Sequence, residues 1–424
     1  MSSPATPTPA ASAPGRTYPL RLLSISFYGA GAAASTQFSG ALGRQRDYSD
    51  TVEDYLMVVP GPADGQSEVI DHGSGLRVMT LPASGHLSFL RAVVAHVPAL
   101  ARRERTSALL VDNTHLATLA GAVVKWRTGV PLIVNSMADM PYNPHYELER
   151  RSNGLKNALF RLLLPWVDLL RVSTQAEVER LTQAGVPEER LHLLHFYVDE
   201  AQFAEAPERS EGAGEGAGMT LLFVGRLGSQ KDIPVLLASF AQVAPEFPEA
   251  TLRIVGGGPD SERLAARARE LGIEERVVFT GAIPYERVIE EYRSADAFVI
   301  SSLYEGTCMV LHEAALMGLP IIATEFAGAK DFVRDGVEGY LAPIRDVDAF
   351  AAALRKLLAD PAKAREMGAA SRERVQAFSR ASARREWDAL CARIVGLVPA
   401  TPAAGQGGET SRTEQGGETS PKAG

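Results

Sequence analysis

Two doubly wound α/β units in tandem are the fold this sequence predicts, on three observations. Short β-rich runs alternate with longer helical ones through the first half of the chain. The alternation stops at "AEAPERSEGAGEGAGM" (204–219), which has almost nothing to bury and reads as a linker. It then restarts with a second set of strands. A length of 424 residues suits this division, at roughly 100–200 residues per domain.

In the first unit, "LRLLSISF" (20–27), "DYLMVVP" (54–60), "LRVMTL" (76–81), "ALLVD" (108–112) and "PLIVNS" (131–136) are continuous apolar runs of strand length. Helical stretches such as "FLRAVVAHVPALARR" separate them, and "LLRVST" and "LHLLHFYVD" lead into the linker. In the second unit "MTLLFVG" (219–225), "ATLRIVG" (250–256), "RVVFTG" (276–281), "DAFVIS" (296–301) and "LPIIAT" (319–324) are strands, with "DIPVLLASFAQVA", "SERLAARARELG" and "VIEEYRSA" as helices between them. Strand then helix, repeated, gives a parallel sheet covered on both faces. The expected units are 18–208 and 219–378. The ends, a Pro/Ala/Ser/Thr leader (1–17) and a tail with repeated QGGETS (399–424), are too polar or too poor in apolar residues to fold. The leader has no apolar stretch for a signal peptide or an anchor.

An apolar share of 46% and a charged share of 22% are globular values. A formal charge of −8 argues against nucleic acid as a partner. Cys308 and Cys391 form no disulfide framework and no zinc-type spacing, which points to a reducing, cytoplasmic setting.

Parallel sheets bind ligands beyond the carboxyl ends of their strands, so the motifs there carry the function. "FVGRLGSQKDIP" sets Arg226 and Lys231 in the turn after the first strand of the second unit, a guanidinium and an ammonium suited to a diphosphate. "IVGGGPD" (254–260) ends the next strand with three glycines. The segment "SSLYEGTCMVLHEAALMGLPIIAT" (301–324) keeps Glu305 and Glu313 in an otherwise apolar run. A helix starting near Thr307 or Cys308 offers free amides to an anion, and Gly306 permits close approach. The two carboxylates would repel a phosphate, so they suit neutral hydroxyls, such as those of a sugar. Asp346 and Asp348 form a D-x-D that is better read as helix capping than as a metal site, and no metal is expected.

Residues 219–345 resemble the donor-binding half of GT-B fold retaining glycosyltransferases of the family-four group (glycosyl transferases group 1). The glycine-arginine turn with a lysine five residues on is Gly225, Arg226 and Lys231; the glutamate, seven residues, glutamate signature is Glu305 and Glu313; "GLP" (318–320) and "DGVEGYLAP" (335–343) follow in order. The resemblance implies two Rossmann-like domains facing a central cleft, with the last helix (about 379–397) crossing back onto the first. It implies a nucleotide-diphosphate sugar as substrate, no cofactor, and a glycan, lipid-linked or small-molecule acceptor, as in cell-surface polysaccharide biosynthesis. Arg226 and Lys231 would hold the diphosphate, Glu305 the sugar hydroxyls and Glu313 the ribose. Gly225, Gly306, Thr307, Cys308, Met309 and Val310 would complete the cradle, with the base near Ile283.

Gly29 and Gly31 of "FYGAGAAAS" stand where the family carries a glycine loop that approaches donor phosphate or acceptor; His115 follows a strand and faces the cleft, with a helix cap or core histidine an equal reading, and Asp139 follows the strand "PLIVNS". The same loop also fits a degenerate dinucleotide fingerprint, but the second strand ends "VVPGP" with no acid to hold a ribose. Departures from the family are Met137 where a histidine is common, Thr307 and Cys308 in place of phenylalanine and glycine, Ala327 of the diglycine at 327–328, Asp331 for a glutamate, and Asp232 for a glycine. A noncatalytic sugar-nucleotide-binding protein and a GT-B epimerase are the alternative functions. "GLKNALFRLLLPWVDLLRV" (154–172) could touch a membrane peripherally, at its inner face, but Pro165 and Asp168 favour a core helix.

Overall fold

The computed structural model describes residues 18–27, 36–112, 115–204 and 218–398. The leader, the tail, most of the linker and the loop with Gly29 and Gly31 lie outside the described residues.

The first unit is an eight-stranded sheet in the order β3-β4-β2-β1-β5-β6-β7-β8. Its strands are β1 (Tyr18–Ser26), β2 (Val52–Gly61), β3 (Val69–Asp71), β4 (Leu76–Pro82), β5 (Ala108–Asp112), β6 (Leu132–Asn135), β7 (Leu169–Val172) and β8 (Leu191–Leu193). All pairings are parallel except that of β3, which runs antiparallel to β4. β3 is exposed along its length, so it carries no apolar run to reveal it, and it closes one edge of the sheet. β8 is shorter than "LHLLHFYVD" suggests because the chain leaves the sheet: Leu194 N–H donates to Val172 O at 2.9 Å, and the backbone then heads for the second unit.

Side chains alternate between the faces of a strand, and each face here has its own cover. Leu23, Leu56, Leu109 and Val134 pack with Phe89, Val93 and Ala120 from helices His86–Arg103 and Leu116–Thr128. Leu22, Tyr55, Leu110 and Ile133 pack against Tyr48 of helix Thr36–Ser49 and against Trp387, Leu390, Cys391 and Ile394 of helix Arg380–Leu397. Trp387 stacks on Tyr48 at 4.4 Å, and its indole N–H donates to Thr51 Oγ1 at 2.7 Å. The last helix thus belongs to the core of the first sheet.

The second unit has six parallel strands in the order β11-β10-β9-β12-β13-β14. They are β9 (Thr220–Val224), β10 (Thr251–Val255), β11 (Val277–Gly281), β12 (Ala297–Ile300), β13 (Ile321–Thr324) and β14 (Gly339–Ala342). β14 lies inside "DGVEGYLAP", where Gly339 approaches β13 so closely that a Cβ would meet Ile321 O at 1.7 Å. Because β9 has β10 on one side and β12 on the other, the order reverses there, and the loops leaving β9 and β12 flank a crevice.

Both loops enter their helices through a left-handed residue. Asp232 (φ 43°) precedes helix Ile233–Val243 and Cys308 (φ 50°) precedes helix Met309–Leu316. These are two of the positions where the family has glycine, and the backbone shows why: positive φ is comfortable only without a Cβ. The Asp232 side chain caps nothing, and its buried Oδ2 has no hydrogen-bond partner. Asp232→Gly should therefore stabilise the fold by about 1 kcal/mol, read as a higher urea midpoint. A lower midpoint would mean that the ion pair with Arg345, at 3.9 Å, outweighs the strain.

Candidate active site

The loop after β9 begins at Gly225, whose φ of 156° and close packing against Gly256 leave no room for side chains: a Cβ on Gly256 would lie 1.9 Å from Gly225 O. Arg226 is exposed. Lys231 is mostly buried, and its ammonium donates to Glu305 Oε1 at 2.5 Å, an oxygen that also accepts from Ser302 Oγ at 3.2 Å. Burial opposes the charge on Lys231, and the Glu305 carboxylate more than offsets it, so the pKa is raised and the lysine stays protonated. Leu303 N–H donates to Gln230 O at 2.8 Å and Ser301 Oγ to Lys231 O at 2.9 Å, so the loops after β9 and β12 are laced together.

Glu313 is buried within helix Met309–Leu316. Tyr285 OH donates to its Oε1 at 3.0 Å and Tyr292 OH to its Oε2 at 2.8 Å. Burial raises its pKa, against the pull of those two hydroxyls. A carboxylate offers about four lone-pair sites, so two remain for further donors. Met309 and Val310 open the helix half-buried, while Thr307 and Cys308 are buried before it. Ile283 is half-buried two residues beyond β11, shortly before Tyr285.

The first unit meets this surface directly. A Cβ on Gly306 would meet Ser173 Oγ at 2.6 Å and Met137 O at 2.9 Å. Glycine is required there because the two domains touch backbone to backbone. Thr307 Oγ1 accepts from Phe196 N–H and donates to Ser173 O, each at 3.3 Å. Glu149 accepts from Ser229 Oγ and Tyr304 OH, and Asp331 accepts from the amides of Gln175 and Ala176 at the start of helix Gln175–Gln183. His115, at φ 81° before helix Leu116–Thr128, stacks on Tyr146 at 5.9 Å, and Tyr146 meets Tyr304 edge-on at 5.5 Å. Burial lowers the His115 pKa to about 4, so its imidazole is neutral near pH 7.

Asp139 is placed differently from the sequence expectation. It is 1% exposed, pairs with Arg180 and accepts from Asn143 Nδ2 at 2.8 Å. Its carboxylate fastens the loop after β6 and is not open to an acceptor. Asp346 Oδ1 accepts from Ala349 N–H at 2.9 Å as a helix cap, and Asp348 accepts from Gln242.

Sequence reasoning missed the partners of these groups. Tyr285 and Tyr292 lie seven residues apart, two helical turns, which puts both hydroxyls on one face, but nothing in the spacing names Glu313 as their target. Glu149 and Arg44 were missed altogether. Arg44 donates to Tyr197 O at 3.5 Å and lies over the Phe196 ring.

Residues 208–374 match the glycosyl transferases group 1 family, and residues 46–196 match the glycosyl transferase 4-like domain. Among curated proteins, a GDP-mannose-dependent alpha-(1-6)-phosphatidylinositol monomannoside mannosyltransferase of Mycolicibacterium smegmatis is 34% identical over 204 residues, 46% of this chain and 53% of that relative. The chain thus spans about half of that relative's length. A D-inositol 3-phosphate glycosyltransferase of Corynebacterium urealyticum is 28% identical over 322 residues, 70% of this chain and 76% of the relative. Among solved structures, sucrose-phosphate synthase from Thermosynechococcus elongatus superposes with a TM-score of 0.70 at 22% identity, over 89% of this chain and 98% of that one. Anabaena HepE in complex with UDP and glucose gives 0.68 at 21%, over 89% and 100%. With one match on each facing parallel-sheet domain, this chain belongs to the GT-B glycosyltransferases of group 1.

Proposed function

We propose that this glycosyltransferase moves a sugar, with retention, from a nucleotide-diphosphate sugar to an acceptor hydroxyl. The observation that carries the reading is the Lys231–Glu305 pair, held where the loops after β9 and β12 meet at the start of helix Met309–Leu316. A diphosphate lying there would meet the Lys231 ammonium, the Arg226 guanidinium and the amides of Met309 and Val310. Glu305 would exchange its lysine partner for the donor sugar's hydroxyls, and the lone pairs left on Glu313 would take the ribose. The base would rest by Ile283 and Tyr285. UDP in the HepE complex and GDP-mannose in the mannosyltransferase's name support a nucleotide-diphosphate donor.

In the step proposed, the bond from the anomeric carbon to the β-phosphate oxygen breaks with its electron pair staying on phosphate. The acceptor oxygen bonds to the same face of the sugar, and its proton passes to the departing phosphate oxygen. Arg226 and Lys231 stabilise the charge that develops there, so no metal is assigned to the reaction. On the acceptor side we assign His115 as a neutral hydrogen-bonding wall. A cytoplasmic setting fits two free cysteines, both buried. A role in cell-surface glycan synthesis fits the phosphatidylinositol mannoside in one relative's name, and the acceptor would then be presented at a membrane.

Three outcomes test this reading. Arg226→Ala should lower kcat about 100-fold and weaken nucleotide-diphosphate binding, since its contact strengthens as charge develops; unchanged turnover removes Arg226 from the clamp. Transfer should survive a chelator, and activity lost to chelation and restored by magnesium or manganese would overturn the metal-free step. In calorimetric titrations, Glu313→Gln should weaken the bare nucleotide diphosphate and the sugar nucleotide alike, by about 1–2 kcal/mol. Glu305→Gln should spare the bare nucleotide and weaken only the complete donor, and the reverse pattern would exchange the two assignments.

A further inference from the structure

Helix Arg151–Leu163 is amphipathic the wrong way round for a surface helix. Its buried face carries Asn153 and Asn157 with Phe160 and Leu163, whereas Leu155 and Leu162 point outward, 75% and 73% exposed. The outward stripe runs on into Trp166, 45% exposed, in the turn Leu164–Trp166. Lys125 Nζ donates to Trp166 O at 3.0 Å, which brings up the end of helix Leu116–Thr128 with Trp126, 71% exposed. Sequence had favoured a core helix here, and only half of it is core.

Charge tells what the stripe faces. Among exposed residues, Arg150, Arg151, Lys156 and Arg127 border it, Arg161 being paired with Glu147, while the helix itself contains no acid. Glu147 is taken by Arg161 and Asn157, Glu149 by the second domain, and Asp168 by Lys125. A basic rim around exposed leucines and tryptophans, on a chain with formal charge −8, is a local concentration of positive charge. Leucine and tryptophan partition into the interfacial layer of a bilayer, and lysine and arginine add attraction to anionic headgroups.

We infer that the outer face of helix Arg151–Leu163, with Trp166 and Trp126, docks this enzyme on an anionic lipid bilayer. Helix Pro144–Glu149 directly precedes it and carries Tyr146 and Glu149, which touch His115 and Tyr304 at the cleft wall. Docking would hold that wall beside the membrane surface. Among the described residues no helix is long and apolar enough to cross a membrane, so the contact is superficial.

The full chain is sedimented with vesicles of phosphatidylcholine alone or mixed with phosphatidylglycerol, and tryptophan emission is recorded. Trp387 is buried against Tyr48, so a blue shift reports Trp126 and Trp166. We expect binding and a blue shift only with phosphatidylglycerol, weakened by salt. Leu155→Glu combined with Leu162→Glu should cut the bound fraction about tenfold, with melting temperature and donor binding unchanged. Three results overturn the inference: no vesicle binding by the wild type, binding that ignores lipid charge, or equal binding of the double variant. Self-association lost in the variant without any vesicle binding would instead assign the face to a second copy. No sugar transfer is read, so this test stands or falls apart from the proposed reaction.

Discussion

A lysine ammonium set beside a carboxylate with only 14% and 15% of the two side chains exposed is the constraint around which the second domain is arranged. Desolvating each ion costs on the order of several kcal/mol, and the attraction between them roughly returns it, so such a pair adds little stability. It does fix structure. Ser302 holds Glu305 from within its own loop, Ser301 reaches across to the Lys231 backbone, and Gln230 donates to Tyr304 O at 2.8 Å, so neither loop can move without stranding a buried charge. In the proposed reaction an incoming phosphate replaces one anion at Lys231 with another. The ammonium stays neutralised throughout, and Glu305 is released to accept from a hydroxyl at the moment the sugar arrives.

The same economy governs the contact between domains. Gly306 lets the loop after β12 press on Ser173 and Met137, and Thr307 Oγ1 finds both its partners, Phe196 N–H and Ser173 O, across the gap rather than within its own domain. Asp331 of the second domain accepts two amides at the N-terminus of helix Gln175–Gln183 in the first, where a negative charge is favoured. Burial raises the Asp331 pKa, and those amides oppose the rise. Opening the cleft would return these groups to water, which is a modest exchange, so the contacts set an orientation without welding it. Trp387 and its neighbours make the opposite kind of contact, an apolar one that ties the end of the chain into the first sheet.

How much of this was legible follows from range. Central parallel strands are apolar on both faces, so β1, β5, β9 and β12 announce themselves in short windows. β3 is exposed and β14 spans only four residues beginning with glycine, and neither leaves such a trace. Arg226, Lys231, Glu305 and Glu313 stand out as candidates because their spacing along the chain is itself the signal, and the structure brings Lys231 and Glu305 together. Their partners were not: Tyr292 and Glu313 are 21 residues apart, Ser229 and Glu149 are 80, and Asp331 and Gln175 are 156. Asp139 illustrates the cost. Its position after a strand suggested an open acid, and a contact with Arg180, 41 residues away, consumes it.

The buried asparagines explain why a helix can turn its leucines outward. Asn153 Nδ2 donates to Tyr146 O at 2.9 Å, and Asn157 Nδ2 donates to Met140 O at 3.1 Å and to Glu147 Oε1 at 2.9 Å. Those acceptors belong to the stretch between β6 and the helix, a loop followed by the six-residue helix Pro144–Glu149, in which many carbonyls have no partner within regular structure and would otherwise be costly to bury. The stretch is also the cleft wall, since it carries Tyr146 and Glu149. Holding it in place demands amides on the inner face, and so part of the helix's apolar complement stands outside. One requirement, a firmly held wall built from a loop and one short helix, thus accounts both for the polar interior of this helix and for the apolar surface left beside the candidate site.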